Sequence, residues 1–408
     1  MAGLSLFTGL LVLAVLLVWM RDDTHRVTPG SVVAAGPRPG AAASTLHLLE
    51  EAVESHDPKA ARALAPAGDA AAATLMGSVA DNAGALDVVD FSARYVDETG
   101  AGAGADDSSW TAQVVLTWGF EGFDREPASA EVAVTFVPDG ETVAIRRFGG
   151  VGDGIEPLWL QGPLDVRRSD EALVMVASSR PGAAREAATY ARRVARGTVV
   201  VRRVLPDWQP SAVIEVPASA AALDTTLDAA EGTYAGIAAV TTTVDGSGSP
   251  DAPVHVFVNP DVTRGLRGAG AQVVMSHELV HVATDAATSA VDLWLLEGFA
   301  DYVALRDVTL PLSTTAARAI EQVRRDGAPR QLPGPAEFDT RATDLEAAYE
   351  LAWLACATLA DEVGERALLD VYRRASNGTP MEDALRRHGT TVEALIEQWR
   401  DRLASLSS

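Results

Sequence analysis

His277, Glu278 and His281 stand in the order His-Glu-x-x-His inside the apolar stretch 273–283, just after the glycine-rich segment 265–270. Side chains four positions apart on a helix share one face, with Cβ atoms about 5–6 Å apart. Two imidazoles so spaced can reach one zinc ion at about 2.0–2.1 Å. Glu278, one residue on from the first histidine, is turned beside such an ion and not onto it. A carboxylate in that place can take a proton from water, which is the chemistry of metal-assisted hydrolysis. Further on, Glu297 interrupts the apolar run 293–300. A carboxylate buried without a partner is costly, so a cation is expected near it. Asp301 follows one helical turn later, where it can accept the free ring N–H of a metal-bound histidine.

His277-Glu278-x-x-His281 followed by Trp294-Leu-Leu-Glu297-Gly-Phe-Ala resembles the active site of gluzincin metallopeptidases, especially the M1-like or peptidase MA-like group. The similarity covers residues 180–405, with the connection between the two motifs trimmed to residues 285–290. The resemblance implies Zn2+ as cofactor, Glu297 as third metal ligand beside His277 and His281, Glu278 as general base, and Asp301 as the acid behind His277. It also implies a peptide or protein substrate. A neutral donor is needed for the oxyanion formed in amide hydrolysis. Tyr349, opening the helical run 348–355 ahead of Gly364, is the first choice, with Tyr302 and His388 weaker candidates. No G-x-M-E-N-like segment is present, so aminopeptidase activity is not implied.

The elements that must position these residues belong to an α+β chain with four expected parts. Residues 1–26 carry the uncharged stretch Leu4 to Met20, long enough for a transmembrane anchor or signal; Arg21, Asp22 and Asp23 follow in place of a cleavage site. The expectation is a single-pass anchor with an extracytoplasmic catalytic domain. Residues 27–43, rich in Pro, Gly and Ala, read as a flexible linker. Residues 44–150 read as a small α+β domain: a helix over 45–55, then strands in which Trp110, Ala112, Val114, Leu116 and Trp118 alternate, as do Val132, Val134 and Phe136 ahead of the turn at Pro138 to Gly140. That pattern resembles the NTF2-like (SnoaL-like) fold. Residues 155–408 read as the gluzincin domain, a small sheet followed by a helical zinc-binding half. Its sheet part is expected to hold a helix over 182–196, a β-rich run at Thr198–Val201, a strand at 212–216, a helix over 225–235, and strands at 237–244 and 254–258, either of the last two a possible edge for an extended peptide.

Composition narrows the partners. The 408 residues are 48% hydrophobic and 22% charged, which is a folded chain's profile, and the length suits two or three domains. A formal net charge of -23, with Lys59 the only lysine, leaves no basic face for phosphates and excludes nucleic acid as a partner. Cys356, the only cysteine, lies in an apolar run and reads as core. His47 and His56 read as exposed, and His255, between apolar strand neighbours, as structural. The rival to a peptidase is a zinc-stabilised binding protein with little or no catalysis. The intact Glu278 argues against it, because binding a metal needs the ligands and not the base.

Overall fold

The computed structural model describes residues 37–101, 108–150 and 154–408. Three helices lead, α1 (Pro39–Glu54), α2 (Pro58–Arg62) and α3 (Ala70–Leu86), followed by the strands β1 (Val88–Ala101), β2 (Trp110–Phe120), β3 (Ala128–Asp139) and β4 (Thr142–Phe148). The four strands form an antiparallel meander in sequence order. Its β3–β4 turn is the expected one, with Gly140 at φ 63° where a side chain would be strained. The alternating residues Trp110 to Trp118 are all buried against α1 and α3, with Trp159 completing the core. The helix α1 begins earlier than the sequence suggests and takes in residues 39–43 of the expected linker, because Pro39 starts it and Ala42 is buried beneath it.

A second sheet follows: β5 (Leu164–Arg168), β6 (Ala172–Ala177), β7 (Ala212–Val216), β8 (Ala239–Thr243) and β9 (Val254–Val258). Its order is β5-β6-β7-β9-β8, with β6, β7 and β9 parallel and the two edge strands antiparallel to their neighbours. Both faces of this sheet are buried, which explains the unbroken apolar run of β6. Leu173, Met175, Val213 and Phe257 pack on the meander side, while Val174, Val176, Ile214, Val216, Val256 and Val258 pack on the helical side. Residues 37–408 consequently form one compact unit in which the meander and the second sheet share a core.

The helices are α4 (Ala183–Arg202), α5 (Ala220–Thr226), α6 (Pro260–Thr263), α7 (Gly268–Ala283), α8 (Leu293–Ala304), α9 (Leu312–Thr315), α10 (Ala317–Asp326), α11 (Leu345–Val363), α12 (Glu365–Ser376), α13 (Met381–Arg386) and α14 (Val392–Ser407). The strand expected at Thr198–Val201 is instead the last turn of α4. Gly197 lies so close to α7 that an added Cβ would stand 2.6 Å from Leu279 Cδ1, and Val201 is fully buried. That packing outweighs the β-preference of three valines. The helix expected over 225–235 ends at Thr226, with turns beyond it.

The membrane-anchored part of the expected architecture is overturned. A span needs about 20 consecutive apolar residues, and no helix among the described residues is long and apolar enough to cross a membrane. The longest, α4, carries arginines along its length. The stretch 4–20 that prompted the expectation lies outside the described residues.

Candidate metal centre

The helix α7 carries His277, Glu278 and His281, and α8 carries Glu297 and Asp301. Two close approaches seat these helices against their neighbours. Gly197 admits α7 against α4, and Gly298 admits α8 against α11: a Cβ at Gly298 would lie 2.3 Å from the Ala352 carbonyl oxygen and 2.8 Å from Cys356 Sγ. The Glu-Gly pair of the second motif is therefore both chemical and steric.

His277 Nε2, His281 Nε2 and Glu297 Oε2 converge, at 2.9 Å between the two nitrogens and 3.1 and 3.3 Å from each to the oxygen. Donors placed about 2.0–2.1 Å from a tetrahedral ion stand about 3.3 Å from one another, so the triangle fits an ion of that size. Two imidazoles and a carboxylate can hold a metal ion here, and they form the one group of that kind among the described residues. The cluster is nearly buried, with His281 7% exposed.

Behind His277, Asp301 Oδ1 accepts the Nδ1 proton at 2.8 Å, which leaves Nε2 aimed at the centre. Burial works against charge on His277, but Asp301 and Glu297 outweigh it and hold its pKa well above the usual histidine value. Burial likewise works to raise Glu297. His281 and His277 outweigh it, and the carboxyl stays far below its usual range, in the ionised form that metal ligation requires. His281 is held differently: its Nδ1 is buried with no hydrogen-bond partner among the described residues.

Glu278 points to another element. Its Oε2 accepts a hydrogen bond from the Thr241 hydroxyl of β8 at 2.7 Å. The Tyr349 ring lies 6.1 Å from the His277 ring, centroid to centroid, and 5.3 Å from Phe338. Burial first, and then Glu297, Glu278 and Asp301, push its phenol far above the usual tyrosine value, so it remains a neutral donor. Tyr302 and His388 are placed elsewhere. Tyr302 donates to Glu365 on α12 at 3.1 Å, and His388 pairs with Asp370 at 2.8 Å.

His47 is exposed beside Glu50, and Cys356 is fully buried in the core. His255 is buried too, but between two acids that sequence reasoning passed over. Its Nδ1 meets Glu215 at 2.7 Å and its Nε2 meets Asp124 at 3.0 Å. Glu215, an acid inside the apolar strand β7, was the available signal, by the reasoning that singles out Glu297. Thr241 had no comparable signal, since nothing in local spacing links it to Glu278.

Compared with family models, curated proteins and solved structures, the chain matches none.

Proposed function

We propose that this protein is a zinc-dependent peptidase in which Glu278 is the general base and His277, His281 and Glu297 hold the metal. The observation that carries the reading is the convergence of three ligand atoms within 3.3 Å of one another, with a carboxylate that is not a ligand on the residue next to His277. Zinc in such a site supplies Lewis acidity and lowers the pKa of water. Glu278 accepts the proton of the attacking water and then hands it to the leaving amine. The water oxygen becomes bonded to the carbonyl carbon as the C–N bond breaks, giving a carboxylate and an amine. Tyr349, neutral and beside His277, donates to the oxygen on which charge develops.

The strand β8 favours a peptide over a small ester or amide. Among the described residues it pairs only with β9, so its other edge has no strand partner and is the edge to which an extended chain beside Glu278 would add. The chain's negative charge favours a neutral or basic peptide over an acidic one.

The test compares the full-length protein with Glu278→Gln for bound zinc and for cleavage of casein and a peptide library. Equal zinc with cleavage reduced about 10²–10⁴-fold is expected of a general base. Zinc without any cleavage that depends on Glu278 overturns the peptidase and leaves the zinc-stabilised binding protein.

A further inference from the structure

Glu278 is held from outside its own helix, and its only side-chain hydrogen bond among the described residues comes from Thr241. Thr241 is paired with Val256 on the edge strand β8, and its neighbours Ala239 and Thr243 on the same face are buried. A β-branched side chain on a paired strand has little rotational freedom, so its hydroxyl is presented in a fixed direction. That hydroxyl has one proton and two acceptors in reach on Glu278: the carboxylate Oε2 at 2.7 Å and the main-chain oxygen at 3.4 Å. The shorter, charge-assisted contact takes the proton. One acceptor site of Oε2 is thus filled and directed at Thr241, while Oε1 accepts no hydrogen bond among the described residues.

We infer that Thr241 is a positioning residue, whose hydroxyl fixes the Glu278 carboxylate so that Oε1 is the oxygen that takes a proton at the metal. This rests on the metal-centre reading above and adds the strand that completes it. The same strand is the open sheet edge, so the base and the edge offered to an extended peptide are fixed by one element. A peptide paired with β8 and the carboxylate that serves it therefore keep a constant separation, which a base held only by its own helix would not guarantee.

The test uses the cobalt-loaded full-length protein and acetohydroxamate, a small chelator that must give up a proton to a neighbouring base as it binds a metal. Its affinity is read from the visible spectrum of cobalt, so no turnover is needed. Thr241→Val keeps the shape and removes the hydroxyl, and should weaken acetohydroxamate about tenfold to a hundredfold, the worth of one hydrogen bond to a charged group. Thr241→Ser should restore it. In a Glu278→Ala background, Thr241→Val should cause no further loss, since the coupling between the two residues is then gone. Thr241→Ala serves if valine disturbs the strand, and cobalt uptake reports an intact site in every variant. An unchanged affinity in Thr241→Val, or the same loss with and without Glu278, overturns the assignment while leaving the metal centre standing. A wild-type chain that takes up no cobalt overturns the metal centre and this assignment with it.

Discussion

His277 divides its two ring nitrogens between different tasks, one aimed at the ligand triangle and one given to Asp301. His281 has no such brace among the described residues, where its Nδ1 lacks a partner. The orientation of the pair therefore leans on a single carboxylate. Replacing Asp301 by Asn keeps the size and can turn an amide N–H toward Nδ1, favouring the wrong tautomer. Zinc affinity of Asp301→Asn should fall about 10–100-fold, measured by competition with a chelator of known strength; unchanged affinity would mean that Asp301 is only a neighbour. Most of this centre was legible in the sequence because its members are local. His277, Glu278 and His281 follow from helical spacing, and Glu297 and Asp301 from a second helix with an acid on its apolar face. Thr241 was not legible, since it reaches Glu278 across 37 positions of sequence.

At the scale of elements, the centre depends on how closely α7 and α8 can sit against their neighbours. Gly298 directly follows Glu297 and faces the backbone of α11 at Ala352, one turn from Tyr349. A methyl there has no flexible side chain to displace, because the nearest atoms are main-chain carbonyl atoms. Gly298→Ala should force α8 and α11 apart. The expected cost is about 1–3 kcal/mol of stability, typical of overpacking, together with weaker zinc binding. Thermal unfolding and zinc titration check the two effects. A variant with wild-type stability and affinity would show that the helices tolerate the separation. Gly197 has a softer neighbour, the end of the Leu279 side chain, so Gly197→Ala should cost less. This layer was only partly legible. Alternation revealed β2 and β3, yet Thr198–Val201 looked like a strand because β-branched residues favour strands when nothing else decides. What decided was the contact with α7, which local sequence does not contain. The anchor expected at the N-terminus came from hydropathy alone, and among the described residues no helix spans a membrane.

At the scale of the molecule, the meander and the second sheet share a core, and His255 is a fully buried titratable group inside it. Asp124 reaches it from the turn after β2, Glu215 from β7, and the rings of Phe120 and Phe257 flank it. Burial works to neutralise the imidazole, but the two carboxylates, Asp124 foremost, outweigh it and raise its pKa to about 9. A histidine whose folded pKa is raised contributes stability that is fully present below its ordinary value of 6.5 and is lost as pH rises through 9. Above that pH two carboxylates face each other across a neutral ring with no cation between them, which is the arrangement buried charges tolerate least. Denaturant unfolding should therefore show stability declining between pH 6.5 and pH 9, by on the order of 3 kcal/mol from this group. Asp124→Asn removes the strongest cause of the raised pKa. In that variant the decline should still begin near pH 6.5 but end at a lower pH and be smaller, while affinity for zinc at the proposed centre on α7 and α8 should stay as in the wild type. A decline identical in both proteins would mean that His255 is neutral throughout.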